Sequence, residues 1–304
     1  MTVLNLAGIF PPLPTSFDED ENLRSEKIRF NIRRLSRYDL SGFLILGSNG
    51  EQVMLTEIEK AEAVAAAREA VQGGKILLAG TGGQSTLETI RLTRAAASAG
   101  ADAVLVINPA YYKGQMTQQA LVKHYNDVAD ASPVPVVVYN MPANTGLDMS
   151  AQAIIEMAKH PNIIGLKESG GNVVKMGEVL QGSKAGFQIL AGGAGFLLPA
   201  LATGAAGGIL ALANIAPAHC IDIYRSFRDG DMEHARKMQL SAIALNAAVT
   251  SKWGVPALKA AMDHLGLYGG PVRRPLLPAG DDTMRALIEL LDDKTVDLYK
   301  TIEE

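Results

Sequence analysis

The feature that most constrains this chain is a series of eight short apolar runs within its first 213 residues. Segments with the apolar period of an amphipathic helix separate these runs, as at 25–38, 56–71, 87–98, 117–131 and 150–160. Eight strand-then-helix units predict an α/β fold of the (β/α)8 TIM barrel type, with its chemistry at the carboxyl ends of the strands. The predicted strands are 7–10, 42–46, 75–79, 102–107, 134–139, 163–167, 187–190 and 208–212.

An open, doubly wound sheet is the alternative fold, because it is built from the same strand-and-helix units. Its dinucleotide-binding form requires a Gly-x-Gly-x-x-Gly turn after the first strand. This chain has Pro11-Pro-Leu-Pro14 in that place. The missing glycine turn and the number of strands both favour the barrel.

The chain changes character after Asn214. Longer apolar segments with helical period follow at 216–227, 232–250, 255–265 and 282–299, and glycine-containing turns separate them. We therefore predict two parts, a barrel over residues 1–214 and a helical C-terminal extension over residues 215–304 that packs on it.

Composition and charge indicate small-molecule partners. The formal net charge is -4 and no Lys/Arg cluster is evident, so neither a nucleic acid nor an anionic membrane is an expected partner. The apolar stretch 197–213 is rich in glycine and contains proline, which argues against a membrane span. Cys220 is the only cysteine and is predicted to be a buried, inert thiol. The single cysteine and an N-terminus without a signal-type apolar core together favour a cytoplasmic protein.

Lys167 and Tyr139 are the leading candidates for chemistry. Each ends an apolar run, so neighbouring parallel strands would bring the amine and the phenol to the same end of the barrel, where one can relay protons for the other. The other possibilities are a surface lysine paired with Glu168 and a tyrosine that only packs. The buried character of 163–166 favours a reactive amine, because apolar surroundings favour the neutral form that a nucleophile needs.

Polar residues after the second predicted strand form a further candidate. The turn Gly47-Ser-Asn-Gly-Glu51 precedes Thr56, which has Glu59 three residues later, the pattern of a helix capping box. Amide groups of such a turn, with the Ser48 hydroxyl, can hold a carboxylate, although an ordinary Asn-Gly turn has the same sequence. The five histidines are widely separated, so no metal site is predicted, and no cofactor is expected.

With these segments the chain resembles the dihydrodipicolinate synthase and N-acetylneuraminate lyase family of Schiff-base aldolases, over essentially its whole length. The resemblance is carried by Gly8-Ile-Phe-Pro-Pro12, Gly47-Ser-Asn-Gly-Glu51, Ala79-Gly-Thr-Gly82, Tyr139-Asn-Met-Pro-Ala-Asn-Thr-Gly146 and Ile164-Gly-Leu-Lys-Glu-Ser169. Within the family it is most similar to the 4-hydroxy-2-oxoglutarate aldolases, notably in 142–148, 167–171, 190–192 and 246–250.

The resemblance implies a role for each candidate residue. Lys167 would form the imine, Tyr139 would relay protons with Ser48, and Ser48 and Asn49 would hold the carboxylate beside the keto group. Ser169 would contact the substrate, and one tyrosine of a pair would reach into a neighbouring subunit of a homotetramer. The pair is Tyr111 and Tyr112, and the predicted substrate-binding set is completed by Asn144, Gly192 and Ile209.

The resemblance also bears on the substrate. Dihydrodipicolinate synthases are expected to have an arginine where this chain has Asn144, and losing that charged grip disfavours the same second substrate. We therefore predict cleavage of 4-hydroxy-2-oxoglutarate to pyruvate and glyoxylate. The alternatives are a 2-keto-3-deoxy sugar acid aldolase, N-acetylneuraminate lyase, the synthase itself, and a non-catalytic keto-acid sensor.

Overall fold

The computed structural model describes residues 4–300 of the chain. Within them lie eight parallel strands: β1 (Gly8–Phe10), β2 (Gly42–Ile45), β3 (Ile76–Gly80), β4 (Ala103–Ile107), β5 (Val136–Asn140), β6 (Ile163–Glu168), β7 (Gln188–Ala191) and β8 (Gly207–Ile209). Each strand pairs with the next from β2 to β8, and β8 pairs with β1. The Leu44 amide donates to the Pro11 carbonyl, and the Leu13 amide donates to the Leu44 carbonyl, which links β1 to β2. The prediction of a TIM barrel is confirmed, and the doubly wound sheet is wrong.

Helices surround this barrel and continue beyond it. They are α1 (Ser25–Leu35), α2 (Glu57–Ala70), α3 (Thr86–Ser98), α4 (Gln118–Ala131), α5 (Pro142–Thr145), α6 (Ala151–Ala158), α7 (Val173–Gly182), α8 (Leu197–Thr203), α9 (Pro217–Asp229), α10 (Met232–Ala247), α11 (Gly254–His264) and α12 (Asp281–Leu291). The predicted capping box is present at the start of α2, where Thr56 and Glu59 bond each other's backbone amides.

Side chains of the strands form two apolar layers. One layer fills the barrel interior and includes Phe10, Leu78, Leu105, Val137 and Leu190. The other lies between the strands and the helices and continues without interruption into the C-terminal helices. Alternation along each strand sends neighbouring residues to opposite layers, so an interior residue near a strand's carboxyl end faces the mouth of the barrel.

Helices α9 and α10 pack against the barrel, Lys259 on α11 pairs with Glu51 after β2, and α12 packs on α11 and α10. Asn214 is fully buried and donates through Nδ2 to the Pro12 carbonyl at 3.0 Å, which joins the start of this region to the end of β1. Cys220 on α9 is buried as predicted, and burial raises the pKa of its thiol. The division at 214 stays a prediction, and residues 1–3 and 301–304 of the two predicted parts lie outside the described range.

Several predicted elements end earlier than expected, among them the last helix and the eighth strand. The last helix stops at Leu291 and not at 299, because Asp293 accepts a hydrogen bond from the Thr295 amide in a turn. The chain then returns to the barrel side, where the Tyr299 amide donates to the Ile215 carbonyl at 2.6 Å. The eighth strand stops at Ile209, and a 3-10 turn follows. No helix between residues 4 and 300 has the length and hydropathy needed to cross a bilayer.

Candidate active site

Lys167 and Tyr139 lie side by side at the carboxyl ends of β6 and β5. They are direct register partners, and Lys167 Nζ lies 4.2 Å from the centroid of the Tyr139 ring. Only 3% of Lys167 and 4% of Tyr139 is exposed. Lys167 Nζ makes no ion pair or hydrogen bond with any residue between Leu4 and Lys300. The amine is therefore buried beside a phenol and remains available for bonding to another molecule.

An irregularity in β6 turns Lys167 into the barrel. Val136 pairs with Ile163 and Val137 pairs with Gly165, so Ile164 is one residue more than the partner strand has. Ile164 packs in the barrel interior, whereas Leu166 packs in the outer layer. Strict alternation from Ile164 would have sent Lys167 outward, toward the helices. The extra residue reverses that phase.

Glu168 points away from Lys167, into the layer between strands and helices. It is fully buried, accepts from Asn140 Nδ2 at 2.9 Å and lies 3.1 Å from Lys175 Nζ. Lys175 also pairs with Asp148. The possibility of a surface Lys167–Glu168 pair is therefore wrong, because the carboxylate has its own buried cation on the far side of the strand.

Ser48 places a hydroxyl next to the tyrosine. The chain leaves β2 through a 3-10 turn, Ser48–Gly50, and then takes the left-handed conformation at Glu51, with φ of 51°. Ser48 Oγ lies 3.3 Å from the Tyr139 hydroxyl, and either oxygen can be the donor. A hydroxyl pair of this kind can pass a proton from the barrel centre to the turn.

A buried ion pair holds this turn from the C-terminal side. Glu51 Oε1 lies 2.6 Å from Lys259 Nζ on α11, with each side chain 1% exposed. Glu51 Oε2 accepts from the Arg273 amide at 2.8 Å, and the Arg273 guanidinium binds Glu59 at 2.6 Å. Hydrogen bonds from Arg273 lower the pKa of Glu59 to about 2, and burial lowers the pKa of Lys259 although Glu51 acts in the opposite direction. The network fixes Ser48 and Asn49 by fixing the residue that follows the turn.

A cavity of about 610 Å³ opens over the strand ends. Its wall brings together eight of the ten predicted site residues: Ser48, Asn49, Tyr139, Asn144, Lys167, Ser169, Gly192 and Ile209. Ser169 and Gly192 lie in close contact, since a Cβ on Gly192 would come 1.8 Å from Ser169 Oγ. Glycine is thus required there for the serine to keep its position. A volume of this size suits a small organic acid.

Tyr111 and Tyr112 are the two predicted residues that do not line this cavity. They follow β4, are 79% and 70% exposed, and pack edge-on with ring centroids 5.0 Å apart. Neither phenol contributes to the cavity of its own chain. Their exposure leaves them accessible to another molecule.

Much of the cavity roof comes from residues that sequence reasoning left out of the site. Asn246, Val249, Thr250 and Ser251 lie at the end of α10 and in the turn after it. That turn, Ala248–Lys252, is a π-helix, a form that is frequent at functional sites. The only available signal was the similarity of 246–250 to the aldolase subfamily. Phe196, after β7, was missed as well.

The cavity contains one cation. Lys167 is the only Lys or Arg among the described residues that line it. Between residues 4 and 300, no three His, Cys, Asp or Glu side chains come together in a group that could hold a metal ion. The chemistry that the wall itself can supply is therefore an amine, hydroxyl groups and amides.

Known proteins are similar to this chain over most of its length. A family model described as the Dihydrodipicolinate synthetase family matches residues 5–294. A probable mitochondrial 4-hydroxy-2-oxoglutarate aldolase of Emericella nidulans is 35% identical over 301 residues, 97% of each chain. A 4-hydroxy-tetrahydrodipicolinate synthase of Methanospirillum hungatei is 37% identical over 287 residues, 93% of this chain and 98% of its own.

A solved structure shares the fold as well. YagE of E. coli K12, in complex with pyruvate, matches with a TM-score of 0.88 at 30% identity, over 95% of this chain and 98% of its own. The extent of the family match and the relatives' identities establish the kind of protein. This chain belongs to the dihydrodipicolinate synthetase family, and it is an enzyme, an aldolase or synthase of the lyase class.

Proposed function

We propose that this enzyme is a Schiff-base aldolase in which Lys167 forms an imine with a 2-oxo acid. The observation that carries the proposal is the buried Lys167 amine, which faces a 610 Å³ cavity next to Tyr139 and has no ionic partner within residues 4–300. An imine between amine and ketone supplies the electron sink that cleavage of a carbon–carbon bond requires. The pyruvate bound to the related YagE supports a 2-oxo acid as ligand.

The proposed reaction is cleavage of 4-hydroxy-2-oxoglutarate. Neutral Lys167 adds to the C2 carbonyl, and Tyr139 gives its phenolic proton to the hydroxyl group that leaves as water, so that an iminium and a phenolate form. The phenolate takes the proton of the 4-hydroxyl group, the C3–C4 bond breaks, and its electron pair moves to the iminium to form an enamine. Glyoxylate departs, and Tyr139 passes its proton to C3 of the enamine. Water then adds to the iminium, which releases pyruvate and the Lys167 amine and returns a proton to Tyr139. Ser48, at 3.3 Å from the Tyr139 hydroxyl, shares the relay, while Ser48 and Asn49 hold the C1 carboxylate.

The choice of this substrate rests on two points. The Emericella relative has the name of this activity, and Asn144 at the cavity mouth offers an amide where the resemblance leads one to expect an arginine in synthases. The Methanospirillum relative makes the synthase reaction the second candidate. We expect kcat/KM for 4-hydroxy-2-oxoglutarate to exceed that for condensation of pyruvate with aspartate semialdehyde by roughly 10²-fold. Equal or reversed values on one preparation would favour the synthase.

Trapping with borohydride tests the imine. Incubation with pyruvate and sodium borohydride is expected to add one reduced pyruvate unit to a peptide that contains Lys167. Lys175 and Lys259 are internal controls, because both are buried but held by carboxylates. An adduct on either of them, or no adduct, refutes the proposal. Trapping without turnover of any aldol substrate would instead indicate a keto-acid sensor.

We also propose a cytoplasmic homotetramer in which Tyr111 or Tyr112 completes a neighbour's site, since neither lines the cavity of its own chain. Light scattering gives the size of the assembly. Mixing inactive Lys167→Met subunits with inactive Tyr111→Phe or Tyr112→Phe subunits should restore part of the activity if the tyrosine acts across an interface. An active monomer would contradict the shared site.

A further inference from the structure

The middle and the end of α10 are both hydrogen-bonded to the segment that follows β7. Gln239 Nε2 donates to the Ala194 carbonyl at 2.8 Å, and Asn246 Oδ1 accepts from the Ala194 amide at 3.2 Å. Gln239 and Asn246 are seven residues apart and therefore lie on one face of the helix. Because the loop clamps the helix at two levels, the Asn246 amide is held in a defined place at the cavity wall.

The bond to Ala194 also fixes which way the Asn246 amide points. The Ala194 amide is a donor, so it must meet the Asn246 oxygen, and Nδ2 is left on the other side. Nδ2 makes no hydrogen bond with any residue in the range 4–300, although Asn246 lines the cavity. Thr250 Oγ1 donates to the Asn246 carbonyl at 2.5 Å, which holds the backbone in place where the π-helical turn begins.

A second donor without a partner faces the same space. Ser169 Oγ is buried and has no hydrogen-bond partner in the described chain, and Ser169 lines the cavity after β6. Unpaired polar groups in a binding wall are satisfied when a ligand of complementary chemistry enters. A carboxylate only accepts hydrogen bonds, so it complements donors of this kind.

We infer that Asn246 recognises the end of the substrate farthest from Lys167 and selects 2-oxo acids that carry a second carboxylate. This deepens the proposed function, on which it rests. The recognition uses neutral donors, because Lys167 is the only cation among the described residues of the wall and is itself engaged by the keto carbon. Thr250 is a positioning residue that acts through the Asn246 backbone.

The test compares two non-cleavable acids that differ only at C5. Both 2-oxoglutarate, with a carboxylate at C5, and 2-oxopentanoate, with a methyl group there, are titrated calorimetrically into the wild type and into Asn246→Asp. The aspartate keeps an oxygen for the Ala194 amide and replaces the free donor with an acceptor. We expect the wild type to prefer 2-oxoglutarate. The variant should bind it roughly 10- to 100-fold more weakly, with 2-oxopentanoate changed by no more than about twofold.

Matched variants separate recognition from folding. Thr250→Val should lose part of the selectivity and Thr250→Ser should restore it, because only the hydroxyl bond to the Asn246 carbonyl differs. Equal weakening for both acids would show that Asn246 only holds Ala194, and unchanged selectivity would exclude a contact with the distal carboxylate. A wild type without preference also overturns the inference. Selective binding without borohydride trapping would refute the proposed imine and keep this inference.

Discussion

Lys167 and Lys259 are both buried amines, yet their surroundings are opposite. They are 3% and 1% exposed, and each Nζ lies over an aromatic ring, at 4.2 Å from Tyr139 and 4.7 Å from Phe17. Lys259 Nζ has the Glu51 carboxylate at 2.6 Å and donates to the Pro271 carbonyl at 2.7 Å. Lys167 Nζ has no such partner in the described chain and faces the cavity.

The difference shows that burial alone does not identify a reactive amine. An ammonium group that is surrounded by a carboxylate and a carbonyl is saturated, and its role is to join two segments of the fold. Lys175, with Glu168 and Asp148, is a second amine of this structural kind. An amine that is buried, without an ionic partner and exposed to a cavity can bond only to a ligand. The comparison therefore predicts that replacing the two lysines damages different properties.

The largest expected effect is the loss of activity in Lys167→Met. Without an amine no imine can form, so kcat should fall by about 10⁴-fold or more. The free energy of unfolding should not fall, because the substitution removes a buried polar group that has no partner and keeps a side chain of similar length. Pyruvate release and urea unfolding measure the two properties. A variant that keeps a few per cent of the activity would show that Lys167 is not the amine that forms the imine.

The next effect concerns the relay. Tyr139→Phe should lower kcat by about 10²- to 10⁴-fold, the usual contribution of positioned proton transfer. Trapping of pyruvate on Lys167 should survive, since the ring that lies 4.2 Å from the amine is retained. Ser48→Ala, which removes a longer hydrogen bond of 3.3 Å, should cause a smaller loss. Wild-type turnover in Tyr139→Phe would mean that Tyr139 only packs.

The structural lysine should show the reverse pattern. Lys259→Met leaves the Glu51 carboxylate buried without its cation, so the free energy of unfolding should fall by about 3 kcal/mol. Adding Glu51→Gln in the same chain should recover most of that loss, because the uncompensated charge is removed. Denaturant unfolding of the two single variants and the double variant gives the coupling. Independent, additive effects would show that the pair is not coupled.

The smallest expected effect is the pH dependence of stability that comes from His124, a buried base with neither a carboxylate partner in the described chain nor a place in the cavity wall. His124 has Thr86 Oγ1 at 2.9 Å, does not line the cavity, and burial lowers its pKa to about 4. Above pH 6.5 the ring is neutral in both states. As the pH falls toward 4, the unfolded chain binds a proton that the folded chain excludes, so the free energy of unfolding should fall by up to roughly 3 kcal/mol.

The control for this titration is His124→Gln. Its free energy of unfolding should change less between pH 6.5 and pH 4 than that of the wild type, because glutamine does not titrate. Loss of stability below that window belongs to carboxylates such as Glu59, whose pKa lies near 2. Parallel curves for wild type and variant would show that the His124 ring is not held neutral by the fold.

The barrel and the residues at the carboxyl ends of its strands could be predicted, because local sequence patterns indicate both. Apolar period identifies strands and helices, and residues directly after strands must meet at one end of a parallel barrel. For this reason the sequence alone predicts that Lys167, Tyr139 and Ser48 lie close together. The prediction of a helix over 282–299 is wrong after Leu291. The apolar period continues beyond that residue, but the Tyr299 amide donates to the Ile215 carbonyl and the chain there is not helical.

The cavity roof at 246–251 and the buried ion pair of Glu51 could not be predicted, because both depend on contacts between distant parts of the chain. Glu51 and Lys259 lie on separate parts of the chain, and nothing near either residue identifies its partner. The π-helical turn that presents Asn246 and Thr250 arises inside a segment of ordinary helical composition. Such contacts are set by how helices dock on the barrel, which short patterns do not encode.

The extra residue at Ile164 has a consequence for how this family is read and redesigned. Only the step between Val136 and Val137 takes up the extra residue, and from Gly165 onward each residue of β6 stays in register with β5. Deleting one residue between Ile163 and Lys167 would remove the irregularity, and a regular strand would still place Lys167 opposite Tyr139. The strand therefore tolerates one residue more or less before the lysine. An aligned lysine in a relative is evidence of activity when it pairs with the tyrosine of the neighbouring strand, whatever the number of residues that precede it.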